Sequence, residues 1–109
     1  MRYLLMIYVN ESPKVPDDYD ETVDRWLAEM DSRGVRVIGS RLRPADETTT
    51  VAIVQGKLTL SDGPFAEAKE QVAGIDIIEC NNLDEAIAVA AGHPTATFAH
   101  IEVRAFWME

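Results

Sequence analysis

The run "HIEVRAFW" near the C-terminus places His100, Glu102 and Arg104 at every second position, with Ile101, Val103 and Ala105 between them. Side chains two apart on a strand share a face, so an imidazole, a carboxylate and a guanidinium line one strip while the apolar set packs the other way. Such a strip can hold an anionic small molecule on Arg104 and move a proton through His100, which is isomerase- or lyase-like chemistry. The same residues read also as cross-strand or intersubunit ion pairs without a ligand, because structural ion pairs gather the same groups. Asp62, in "SDGPF", is a second acid/base candidate. Asp62, Gly63 and Pro64 make a stiff reverse turn. The Asp62 carboxylate either bonds its own backbone there or is presented by the loop at the mouth of a pocket. Phe65 is expected to plug into the core, leaving Glu67, Lys69 and Glu70 solvated on a short helical turn.

Two further residues are candidates for ligand contact. Asp76 sits between isoleucines in "GIDIIEC", although aspartate is depleted in strands. It either touches a ligand or pairs with an arginine across a dimer, for example Arg41 or Arg104, since a buried charge needs compensation. Tyr8 alternates in step with Leu4 and Met6 and either places its hydroxyl in the same cavity or is a core tyrosine with one satisfied hydrogen bond. The remaining marked residues read as structure. Arg33, Arg36, Arg41 and Arg43 form a solvated strand edge, His93 a surface cap, Cys80 a buried small hydrophobe, Trp26 part of a helix stripe, and Trp107 a seal on a subunit contact.

The elements that must position these groups follow from hydrophobic period. "RYLLMIYV" is β-rich and apolar on both alternating sets, which predicts a strand covered on both faces. Tyr19, Val23, Trp26, Leu27 and Met30 recur at helical spacing, and the acidic start with Gly34 behind Arg33 bounds a helix over about 18–33. "GVRVIGSRL" reads as a second strand. "TTTVAIVQGKLTLSDG" reads as a hairpin turning at Gln55 and Gly56. "VAGIDIIEC" follows as a strand, and "NNLDEAIAVAAGHP" as a helix capped by Asn82, with Leu83, Ala86, Ile87, Ala90 and Ala91 on its apolar face. The hairpin aside, the order is strand, helix, strand, strand, helix, strand, the split βαβ or ferredoxin-like pattern of an α+β domain. Two helices cover one face of a four-stranded sheet. The other face is apolar on the first strand, so a second copy is expected to pack on it, giving a homodimer of the dimeric α/β barrel type.

Composition narrows the function classes. The chain has 109 residues, 47% of them hydrophobic and 27% charged, with a formal net charge of −9, which suits one globular domain, residues 1–109, and opposes direct binding to nucleic acid. No apolar run reaches the roughly 20 residues of a membrane span. One cysteine and two histidines exclude an internal disulfide and fall short of a zinc site. Neither a metal nor a cofactor is called for, and the expected location is a reducing cytoplasm.

"DGPFAEAKEQVAGIDIIE", with "NLDEAIAVAA" and "HIEVR" downstream and "MRYLLMIY" at the start, resembles the DGPF branch of the YCII-related family over nearly the whole chain. The resemblance implies a ferredoxin-like fold and a dimeric barrel. Many relatives carry a histidine and an aspartate suited to acid/base work, and DGPF members occur beside or fused to extracytoplasmic-function sigma factors. Asp62 stands in the matching motif. The relatives' histidine lies in the first helix, where this chain has "DETVDRWLAEMD" and Val23 or a neighbour takes its place; Asp76 stands where relatives tend to have an aromatic residue. The expectations are therefore a small-molecule pocket between two sheets, a regulatory module that contacts a sigma factor, or a dimer whose ancestral pocket has decayed.

Overall fold

The structure is a computed structural model that describes residues 1–10, 14–66 and 68–108. It contains β1 (Arg2–Asn10), α1 (Tyr19–Ser32), β2 (Arg36–Arg41), β3 (Thr49–Val54), β4 (Lys57–Asp62), β5 (Glu70–Glu79), α2 (Leu83–Ala91) and β6 (His100–Ala105), with short 3-10 turns at Ala45–Glu47 and Pro94–Thr97. The main sheet runs β2-β5-β1-β6, and β3 and β4 form a separate two-stranded sheet. Every pairing is antiparallel. The four-stranded order is that of the split βαβ fold, and the hairpin is an insertion between its second and third strands.

Local signals explain the boundaries. Gly34, at φ +68°, ends α1 in the left-handed region, and the Gly34 and Val35 amides donate to the Asp31 and Met30 carbonyls at 3.1 and 2.9 Å, which satisfies two carbonyls the helix end would leave open. Gln55 and Gly56 both have positive φ, the two-residue turn whose twist matches a hairpin. Asn82 caps α2 by accepting from the Glu85 amide at 2.9 Å.

The core lies between the main sheet and the two helices. Tyr3 and Leu5 of β1 and Ile78 of β5 meet Trp26 and Met30 of α1 and Ala86, Val89 and Ala90 of α2, with Ile101 and Val103 of β6 packed against them. The smallest dimension of the molecule is 19 Å, room for two layers spaced about 10 Å apart and no third. Its radius of gyration, 15.9 Å, exceeds the roughly 13 Å expected of a compact chain this long, because the β3–β4 hairpin stands away from the body.

Four expectations are corrected. Phe65 does not enter the core; it is 93% exposed. The Gly63 amide donates to the Thr48 carbonyl at 2.6 Å and closes the base of the hairpin, and the turn that follows leaves Phe65 in solvent. Glu67 lies outside the described residues, and Glu70 starts β5 instead of sitting on a helical turn. On α2, Leu83 and Ile87 are exposed while Val89 is buried. The small side chains of Ala86 and Ala90 let the helix approach so closely that the Trp26 Nε1 donates to the Val89 carbonyl at 3.1 Å, and the bulkier residues turn outward. His93 is a cap, accepting from the Thr95 amide through Nδ1 at 3.1 Å, but it is 4% exposed instead of lying on the surface. Its ring packs edge-on against Trp26 at 4.6 Å. Burial lowers its pKa to about 4.

Candidate functional site on the open sheet face

Register decides which groups meet. β1 pairs with β6 as Tyr8↔His100, Met6↔Glu102 and Leu4↔Arg104, and directly opposed residues point to the same side. Ile101 and Val103 go to the helix side, so His100, Glu102, Arg104 and Tyr8 share the side without helices. β1 pairs with β5 as Asn10↔Glu70, and a shift of register between Ile7 and Tyr8 brings Glu70 level with the imidazole. The His100 Nδ1 and Glu70 Oε2 are 2.8 Å apart. The Tyr8 and His100 rings stack with centroids 4.9 Å apart. Three strands thus deliver five polar side chains to one patch.

The electrostatics of the patch are unevenly settled. The Glu70 carboxylate sits at the Nδ1 edge of the His100 ring, an ion pair when the imidazole is protonated, and leaves Nε2 as the ring's other polar atom. Loss of solvation pushes the Tyr8 hydroxyl pKa up, with the neighbouring Glu102 charge adding to the rise and Arg104 opposing it. Among the described residues neither Glu102 nor Arg104 joins an ion pair. Asn10, in step with Tyr8 on β1, has a buried Oδ1 with no partner among those residues. A buried acceptor left open is uncommon in folded chains. The arrangement offers a guanidinium for an anion, a hydroxyl and an amide for orientation, and an imidazole nitrogen for a proton.

The other two candidates lie elsewhere. Asp76 is opposite Leu5 of β1 and Gly39 of β2, hence on the helix side, 4% exposed. Its Oδ1 accepts from the Arg36 Nε at 2.7 Å, so its arginine is one of the same chain and neither Arg41 nor Arg104. Burial raises the Asp76 pKa, against the pull of Arg36. Arg36 leans on Asp31 as well, at 3.5 Å, and so is not a solvated edge residue. Any Cβ at Gly39 would collide with the Asp76 carboxylate, which explains a glycine inside β2. Asp62 ends β4 opposite Thr49, in the sheet that His100 does not belong to. Sequence reasoning missed Asn10, and it missed Glu70. Its signal was faint: placing it requires the register shift in β5 and the pairing of β6 on the far side of β1.

An open groove of about 410 Å³ lies on the helix side, lined by Trp26, Arg25, Glu29 and Pro94 among others, and includes none of the sheet-face cluster. Among the described residues no group of His, Cys, Asp or Glu is placed to hold a metal ion. No helix of the described residues is long and apolar enough to cross a membrane.

Residues 1–108 match the YCII-related domain. The chain belongs to that family. An uncharacterized protein, R00369, of Rhizobium meliloti strain 1021 is 35% identical to this YCII-related chain over 96 residues, which cover 83% of the chain and 77% of the relative. Among solved structures, 5-chloro-2-hydroxyhydroquinone dehydrochlorinase (TftG) from Burkholderia phenoliruptrix AC1100, in complex with 2,5-dihydroxybenzoquinone, is 17% identical with a TM-score of 0.47, covering 100% of this chain and 96% of that one.

Proposed function

We propose that this YCII-related protein acts as a cytoplasmic homodimer that binds a small anionic metabolite on the open sheet face and transfers a proton within it, in the manner of an isomerase or lyase. The observation that carries this reading is the meeting of Tyr8, Asn10, Glu70, His100, Glu102 and Arg104 on a face with no helix over it. In the proposed roles Arg104 takes the anionic group, Tyr8 and Asn10 orient the molecule, and the His100 Nε2 accepts and returns the proton while Glu70 fixes the ring. His100 stands in for the first-helix histidine that this chain lacks. Asp76, paired with Arg36 behind the sheet, has a structural role in this reading. Asp62 enters it only across the dimer, because in its own chain it lies in the other sheet. The apolar residues Leu4, Met6, Ile75 and Ile77 around the cluster support a second copy as the cover of this face.

A thermal-shift screen of small carboxylates and hydroxy acids tests the reading. A true ligand at ten times its Kd is expected to raise Tm by about 5 °C, and Arg104→Ala should remove that rise. With such a ligand, exchange of its labile C–H for solvent deuterium, followed by NMR, is expected to slow at least ~100-fold in His100→Ala. A screen in which no rise depends on Arg104 or His100 would speak against a site here.

A further inference from the structure

The β3–β4 hairpin has two unlike sides. Its register opposes Val51 to Leu60 and Ile53 to Leu58 on one side, with Thr49 and Asp62 at their foot, and Thr50 to Ser61, Ala52 to Thr59 and Val54 to Lys57 on the other. The four large apolar side chains of the first side are 62–67% exposed. A lone two-stranded hairpin is at best marginally stable in water, and an apolar strip of this kind ordinarily marks a contact surface.

Three features select a second copy of the chain as what lies against it. The first is the reciprocal need: the same chain has an open sheet face with Leu4, Met6, Ile75 and Ile77 half-buried and, among the described residues, no layer over them. A two-fold arrangement with each hairpin over the other sheet would close a single interface over both apolar surfaces. The second is length. Each hairpin strand has six residues and spans about 20 Å, and four paired strands are about 15–20 Å across, so the hairpin can reach over the whole sheet. The third is charge. Between Thr49 and Asp62 the only charged residues are Lys57 and Asp62, which cancel, whereas the whole chain carries −9. The hairpin is therefore a part of one acidic copy that can approach another without repulsion.

We propose that the β3–β4 hairpin is an exchange arm whose Val51, Ile53, Leu58 and Leu60 lie on the open sheet face of a second copy and form the outer wall of that copy's His100 site. This rests on the homodimer reading above and adds to it that neither site is complete in a single chain. The apolar wall excludes water from one side of the cluster, which strengthens the hold of Arg104 on an anion.

Sedimentation velocity on wild type and on the double variant Ile53→Asp/Leu58→Asp is the first arm of the test. Wild type is expected to sediment at twice 12.1 kDa, and the variant to dissociate with a Kd raised by roughly 100-fold or more, two centrally buried apolar anchors being lost. Its circular dichroism should match wild type, because these side chains touch no core residue. The second arm uses mixed chains in a Cys80→Ser background, one with Ile53→Cys and the other with Met6→Cys, Ile75→Cys or Ile77→Cys. A disulfide between the two chains is expected on mild oxidation. A wild-type dimer that the double variant matches in affinity, with no cross-link at any of the three positions, overturns the arm and leaves the homodimer standing. A monomeric wild type removes both.

Discussion

Asp76→Ala is expected to destabilise the protein by about 3 kcal/mol, the lower part of the range for breaking a buried ion pair from one side. The carboxylate is 4% exposed and sits 2.7 Å from the Arg36 Nε. Its removal strands a guanidinium that is itself mostly buried, with only Asp31 at 3.5 Å to take up the charge. That remaining contact is why the upper part of the range is not expected. Since a domain of this size commonly holds about 5–15 kcal/mol in total, urea unfolding should show a midpoint lowered by a large fraction at an unchanged slope. Replacing Arg36 and Asp76 together by leucine should cost much less than the two single losses combined, because no unpaired charge is then left behind. Asp24→Ala, at an exposed helix position, should stay within about 0.5 kcal/mol of wild type. An Asp76→Ala loss below about 1 kcal/mol would mean that the pair is not buried in solution as it is here.

The second large effect is a dependence of stability on pH. His93 has a pKa of about 4 in the folded chain against about 6.5 when unfolded. Between those values the unfolded chain binds more protons, so stability rises with pH across the window and is progressively lost as pH falls from 6.5 toward 4. The span corresponds to about 3 kcal/mol for this one group. Protonation also ends the Nδ1 acceptance from the Thr95 amide. Asp76 works the other way at the acid end: its raised pKa means that the folded state favours the protonated carboxyl, so stability charged away at higher pH returns as pH falls through that value. His93→Asn keeps a side-chain acceptor for the Thr95 amide and cannot titrate. Its stability measured from pH 7 to pH 4 should be flatter than that of wild type by about the amount given above, whatever its absolute level. Equal slopes for the two proteins would contradict the buried neutral imidazole.

Much of the architecture was legible because it is written in local signals. Gly34, the Gln55-Gly56 turn and Asn82 each do at a known place what their chemistry does anywhere, and alternation in β6 alone separated His100, Glu102 and Arg104 from Ile101 and Val103. The strand order followed from the order of elements. What was not legible depends on distant parts of the chain. Arg36 and Asp76 are 40 residues apart, and the side of the sheet on which Asp76 falls depends on its register against Leu5. His93 looked like a surface cap because neither its neighbours nor its spacing reveal that Trp26 closes over it. Hydrophobicity alone places Phe65 in the core, but a turn at the foot of a projecting hairpin points it into solvent. In the candidate site Tyr8, His100, Glu102 and Arg104 were visible as alternating sets, whereas Glu70 needed a three-strand register containing a bulge. Asp62 stands out by its stiff turn and by its motif, and neither says in which sheet it ends.

The central claim is that the sheet face without helices is where a small anion binds. It is tested most directly by amide NMR shift mapping of the labelled protein against a panel of small carboxylates and hydroxy acids. The expected result is a saturable set of shifts centred on Tyr8, Glu70, His100 and Arg104, with the helix side unmoved. Shifts confined to the groove beside Trp26 and Arg25, or a panel that moves no resonance of the sheet-face cluster, would contradict it.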